Sequence, residues 1–285
     1  MLTGRCPVGT HCPLWVETCF FVTPETFSVD TADRVRIAGR RYGSVPARRA
    51  VVICHGFNVN QLTPKLVAMA LSLARPDTAV YTFDFRGHGE SGGLSTLGAR
   101  EIEDLAAVMD LVRARAHRQV VVVGASMGGF VALRHAALRG GEDAVVAISA
   151  PTEWIEPRLV RAKLLGVLIS TRPGRRLLKA AGTRMAVELG DPEPPSRIAG
   201  SIAPTPLGLI HGERDRYVPV DAALALYEKL GEPKRMVVLD RFGHAEAGFT
   251  PPFSSLVADL IDELLALRPG SSIRAGTPSE DAAAE

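Results

Sequence analysis

Two rhythms of apolar and polar residues take turns along this chain. Residues 50–54 and 120–123 are unbroken apolar, β-branched runs of the kind that fill the centre of a sheet covered on both faces. Val35-Arg36-Ile37 alternates instead, as a half-buried edge strand does, and residues 79–83, 144–148, 206–210 and 236–239 add further short apolar runs. Between them, residues 62–74, 99–115, 130–138, 221–230 and 253–267 have the length and spacing of helices. Strands alternating with helices in this way predict an α/β protein with a mostly parallel sheet.

Three segments fall outside the rhythm. Residues 1–27 read as an irregular N-terminal extension, and the core is expected over 28–151 and 204–268. The interval 152–203 is too long for an ordinary connection and predicts an inserted, partly helical cap. The last stretch, 269–285, is Gly, Pro, Ser, Ala and acid without apolar pattern, which predicts a disordered tail.

Composition narrows the function classes. The 285 residues are 46% hydrophobic and 22% charged, within the globular range. Thirty-three Lys and Arg face 31 Asp and Glu, so a net charge of +2 offers no whole-surface attraction to nucleic acid. The cysteines, Cys6, Cys12, Cys19 and Cys54, crowd one end and read as reduced thiols rather than a disulfide framework. The gap between Cys6 and Cys12 is wider than paired zinc cysteines use, so no metal is expected. No run approaches the 18 or so apolar residues of a membrane-spanning helix, and the start lacks the form of a signal peptide; a cytoplasmic protein is the expectation.

The sharpest chemical signal is Gly124-Ala-Ser126-Met127-Gly128, a Gly-x-Ser-x-Gly that follows an apolar strand and opens a helix. A serine on such a turn stands above the sheet, with glycines on both sides permitting close approach. A serine hydroxyl is a weak nucleophile, so it needs a base within hydrogen-bond reach and an acid to orient that base. Of seven histidines, His244 follows the last strand in the loop Arg241-Phe-Gly-His244-Ala-Glu, from which it can fold over the carboxyl edge of the sheet. For the acid, Asp215 in His211-Gly-Glu-Arg-Asp215-Arg-Tyr-Val-Pro219 precedes a turn and a Val-Pro entry into a helix; Glu213 is its competitor.

The chain order Ser126, Asp215, His244 resembles that of the α/β-hydrolase superfamily, over roughly residues 28–267. Two further segments agree: His55-Gly56-Phe57-Asn58 after the run 50–54 is similar to the family's oxyanion loop, and Asp84-Phe-Arg86-Gly-His88-Gly-Glu-Ser91 is similar to its Asp-x-Arg-Gly-x-Gly-x-Ser segment. The resemblance implies an eight-stranded, mostly parallel sheet and a serine carboxylesterase or lipase-like activity without cofactor. It also implies an oxyanion hole made by the backbone N–H groups of Phe57 and Met127. Asp84, Arg86 and His88 are read as structural loop residues.

From Arg158 to Val187 the cap region carries Arg158, Arg161, Lys163, Arg172, Arg175, Arg176, Lys179 and Arg184 without a single Asp or Glu, interleaved with apolar residues. Two readings stay open: a solvated basic face over a packed apolar one, or a cap that receives an acyl chain and lies near anionic lipid or an acidic leaving group, with peripheral contact to anionic membrane. The expected partner is a small-molecule ester with an apolar acyl group, not nucleic acid. A thioesterase or acyltransferase would use the same three residues, and a non-catalytic binding module of this fold is the alternative of another class.

Overall fold

A computed structural model describes residues 23–154, 166–245, 249 and 251–268. Its strands are β1 (Glu25–Asp30), β2 (Arg36–Tyr42), β3 (Arg49–Cys54), β4 (Thr78–Phe83), β5 (Gln119–Ala125), β6 (Ala144–Ile148), β7 (Leu207–Gly212) and β8 (Lys234–Leu239). Its helices are α1 (Pro64–Leu73), α2 (Glu101–Ala114), α3 (Met127–Leu138), α4 (Arg172–Ala180), α5 (Pro195–Ile198), α6 (Val220–Lys229) and α7 (Pro251–Ala266). The eight strands form one sheet in the order β1-β2-β4-β3-β5-β6-β7-β8. β2 runs antiparallel to β1 and to β4, and every other pairing is parallel.

Side chains alternate across each central strand and meet apolar cover on both faces. Val52, Val122 and Val145 join Leu105 and Val108 of α2 and Val131 of α3 in one cluster. Val51, Val121 and Val146 join Leu66 and Met69 of α1 and Val257, Ile261 and Leu264 of α7 in the other. This double cover is why the central runs contain no polar alternation. Each such residue taken fully out of water contributes about 1.5–3 kcal/mol.

Several boundaries differ from the sequence expectation for identifiable reasons. The sheet begins at Glu25, inside the segment assigned to the extension, because Thr26-Phe27-Ser28-Val29 alternates and pairs with Ile37 to Arg40. β2 continues to Tyr42 through Arg40 and Arg41, whose charges are taken up by Glu90 and Glu25 at the sheet edge. α3 starts at Met127 rather than Phe130, since Gly128 and Gly129 are helical. Within the interval set apart as a cap, α4 and its neighbours form a small cluster of Ile169, Leu178 and Met185 against Phe57 and Leu97. Ala199 and Ile202 near the interval's end instead join the core layer beneath. Residues 1–22, with Cys6, Cys12 and Cys19, the basic residues Arg158, Arg161 and Lys163, and the tail 269–285 lie outside the described residues. No described helix is long and apolar enough to cross a membrane.

Candidate active site

β5 ends at Ala125 and α3 begins at Met127, so the whole reversal of direction falls on Ser126. Its backbone takes φ 53° and ψ −120°, a conformation that costs a non-glycine residue on the order of 1–3 kcal/mol and survives only where its surroundings enforce it. The enforcement is close backbone packing. A Cβ at Gly128 would lie 2.2 Å from the Cys54 carbonyl oxygen and 2.6 Å from that of His55, and one at Gly124 would lie 2.4 Å from the Gly128 carbonyl oxygen. The Ser126 N–H donates to the Ile148 carbonyl at 2.9 Å, and the Ser126 carbonyl accepts from Phe130 N–H at 3.0 Å. These contacts also bring Met127, the first residue of α3, beside the loop that leaves β3 and carries Phe57.

Two further loops reach the serine from β7 and β8. His244 Nε2 stands 2.8 Å from Ser126 Oγ, and His244 Nδ1 stands 2.8 Å from Asp215 Oδ2. With Nδ1–H donating to the carboxylate, Nε2 is left as the acceptor for the serine hydroxyl. The other carboxylate oxygen of Asp215 accepts the N–H groups of Tyr217 at 2.8 Å and Val218 at 3.0 Å. Burial pushes the Asp215 carboxyl up, but the His244 hydrogen bond and charge, together with those two N–H groups, outweigh it and hold it below the ordinary carboxylate range. The Asp215 side chain is fully covered and that of His244 is 11% exposed. The competing acid, Glu213, makes no contact with His244 among the described hydrogen bonds; its backbone N–H donates to Leu239.

Two neighbours carried no role in the sequence reading. The Tyr217 ring lies tilted against the His244 imidazole, centroids 4.9 Å apart. His211 is buried, with Nε2 2.9 Å from the Val218 carbonyl and 3.6 Å from Asp215 Oδ2, and burial holds its pKa below the ordinary histidine value. Only their positions four before and two after Asp215 signal them, which is too little without coordinates.

Beneath Phe57 the loops are held by buried polar groups. His55 donates Nδ1–H to the Gly56 carbonyl at 2.7 Å and accepts the Phe85 N–H on Nε2 at 3.0 Å. That neutral ring is completely buried, which with the adjacent His88 pushes its pKa down to about 3. Asp84 accepts the N–H groups of Gln61 and Glu90, and Arg86 bridges Asp104 and Asp33 at 2.7–2.9 Å. His88 packs edge-on against both His55 and Phe57. Above, the Glu101 carboxylate accepts from Ser95, Thr96 and Gly98 at 2.6–2.8 Å and fixes the loop whose Leu97 faces the cap cluster. The arrangement presents a hydroxyl with a proton acceptor behind it at the N-terminus of a helix, the setting for nucleophilic attack on a carbonyl. Among the described residues no group of three or more His, Cys, Asp or Glu is placed to hold a metal ion.

Comparison with known proteins agrees with this architecture. A protein from Bacillus subtilis, YqkD, is 28% identical over 239 residues, spanning 81% of this chain and 74% of its own. A monoacylglycerol lipase from Mycolicibacterium smegmatis is 28% identical over 247 residues, spanning 68% of this chain and 86% of its own. The esterase Pf2001 of Pyrococcus furiosus superposes with a TM-score of 0.69 at 23% identity, over 85% of this chain and 93% of that one, a likeness of fold. The family model described as serine aminopeptidase, S33, matches residues 45–194, from before β3 through the sharp turn at Ser126, the elbow, and into the interval that follows β6. With more than half its length matched, the chain belongs to this family of α/β-hydrolases.

Proposed function

We propose that this protein hydrolyses carboxylic esters through an acyl-enzyme, with Ser126 as nucleophile, His244 as base and Asp215 as the residue that orients it. The observation that carries the reading is the unbroken hydrogen-bond chain from Ser126 Oγ through His244 to Asp215, both links 2.8 Å. Ser126 Oγ attacks the ester carbonyl carbon while its proton passes to His244 Nε2. The C–O bond to the leaving alcohol then breaks as the imidazolium returns that proton to the alkoxide oxygen. Water, deprotonated by the same nitrogen, attacks the acyl-enzyme and releases the acid. Asp215 stays ionised throughout and stabilises the transient imidazolium.

Charge develops on the carbonyl oxygen only in the tetrahedral intermediate, and the backbone N–H groups of Phe57 and Met127 are assigned to receive it. Loss of one such donor costs about 10²- to 10³-fold in rate. The adjacency of the Phe57 loop and the start of α3 supports this assignment. The apolar cluster of Leu97, Ile169, Leu178 and Met185 beside Phe57 supports an apolar acyl group. The named activities of the Mycolicibacterium lipase and the Pyrococcus esterase point to the same substrate class.

A fluorophosphonate probe tests the nucleophile, and p-nitrophenyl esters from acetate to palmitate, run beside an acyl-CoA, test the substrate. Labelling of the parent but not of Ser126→Ala, with ester turnover to match, is the expected result. A sharp preference for the thioester would reassign the leaving group, and an unlabelled parent would make the protein a binding module.

A further inference from the structure

The cap helix α4 divides its surface into three arcs. At about 100° per residue, Gly174 and Leu178 share the inward side, and both are buried. Arg172, Arg176 and Lys179 share a second stripe, and all three are exposed. Pro173, Leu177 and Ala180 form a third stripe beside it, also exposed, with Leu177 61% accessible. An ordinary solvated helix does not leave a whole apolar stripe in water next to a basic one. The flanks repeat the feature: Val167 is 58% and Val187 76% accessible. No Asp or Glu occurs between Gly166 and Val187.

The cations are not all of one kind. Arg175 is engaged within the cap, donating to the carbonyls of Ile169 and Ser170 at 3.0 Å, and Arg184 donates to the Ser91 carbonyl of the core. Among the described residues, the heads of Arg172, Arg176 and Lys179 have no hydrogen-bond or ion-pair partner. Thr171 caps the helix by accepting from Gly174 N–H, so the stripe is presented on a defined scaffold.

We propose that this face of α4, with Val167 and Val187 at its margins, docks on an anionic phospholipid bilayer. Phosphate-bearing headgroups neutralise Arg172, Arg176 and Lys179, while Leu177 and the flanking valines enter the acyl boundary. A nucleic acid would meet the cations but leave the apolar stripe in water. The opposite side of the same helix buries Leu178 against Ile169 and Met185, the cluster that packs on Phe57. One helix diameter, about 10 Å, therefore separates the lipid-facing side from the cluster that packs on Phe57. That this delivers lipid esters to Ser126 rests on the hydrolytic reading; the docking itself does not.

Sedimentation of the full chain with vesicles tests it. Vesicles of phosphatidylcholine are compared with equal mixtures of phosphatidylcholine and phosphatidylglycerol, at about 50 mM and about 500 mM salt. The mixed vesicles are expected to bind at least about 100-fold more tightly at low salt and to lose that advantage at high salt. Neutralising Arg172→Gln, Arg176→Gln and Lys179→Gln together costs about 100-fold, near fivefold per cation. Leu177→Ser costs about tenfold. Both variants retain the parent's rate on p-nitrophenyl acetate, which shows that they are folded. Ser126→Ala binds vesicles like the parent, which separates docking from catalysis. Equal binding to both vesicle types, no binding, or a triple variant that pellets like the parent overturns the proposal. So does duplex DNA retained equally by the parent and by Leu177→Ser.

Discussion

Around Ser126 the chain holds itself with backbone, whereas around α4 it meets its surroundings with side chains. At the elbow, carbonyl oxygens of Cys54 and His55 press against Gly128, and the serine's own N–H and carbonyl are both bonded. Among the described residues of the interval 152–203, Ile169, Leu178 and Met185 form a small cluster of their own, and charged and apolar side chains share the outside. The difference teaches where each property is written. Backbone geometry tolerates few sequences and fixes where the Ser126 side chain stands; a thinly packed, side-chain surface tolerates many and is free to vary.

The contrast is broken most directly at the serine. Ser126→Ala is expected to lower ester turnover by on the order of 10⁶-fold with unchanged thermal unfolding, and Asp215→Asn by about 10⁴-fold with a lower melting temperature, because the ionised carboxylate that the fold stabilises is gone. Turnover within tenfold of the parent in either variant would remove the chemistry from this corner. Gly128→Ala is the structural counterpart: a Cβ 2.2 Å from a carbonyl oxygen cannot be relieved by a rotamer. Its expected cost is about 3 kcal/mol in denaturant unfolding, and full stability would mean the elbow is looser than its contacts imply.

Acid should weaken the fold through the buried histidines of the rigid corner. The buried His55 ring has its pKa pushed down to about 3, so an unfolded chain binds a proton below about 6.5 that the native ring refuses. Its contribution to stability is complete above about pH 6.5 and is lost progressively as pH falls toward 3. Urea midpoints measured at about pH 7.5, 5.5 and 4.5 should decline in that order, and a flat series would contradict a neutral, buried His55. His88 and His211, also lowered by burial, deepen the same decline.

Smaller effects sharpen the boundary between the two regions. Tyr217→Ala removes a ring that packs against one side of His244 and is expected to cost about fivefold in kcat. At the far end, Leu177→Ser is expected to leave hydrolysis of a short soluble ester unchanged, because the side chain faces away from the cluster on Phe57.

What was legible in the sequence follows the same division. The valine runs of β3 and β5 announced themselves because both faces of the sheet are covered there, and the Gly-x-Ser-x-Gly between strand and helix, with the loops after the last two strands, pointed to Ser126, Asp215 and His244, which the fold brings within hydrogen-bond distance. Edges were harder to read. β1 and the end of β2 carry charge on an exposed rim, and Gly128 and Gly129 look like a turn until α3 is seen to need them small. Tyr217 and His211 were invisible, since their placement depends on where a seven-residue loop folds back. The split of α4 into basic and apolar stripes lay partly hidden too: composition revealed the cations, but only burial shows which leucine faces water.

The backbone at Ser126 also limits which residue can ever replace it. At φ 53° a side chain branched at Cβ is strongly disfavoured. Threonine, whose hydroxyl is chemically equivalent, is therefore disfavoured by shape. The alternatives open to descendants of this protein are unbranched side chains such as cysteine or aspartate, so a shift of chemistry at this position is less obstructed than a conservative exchange.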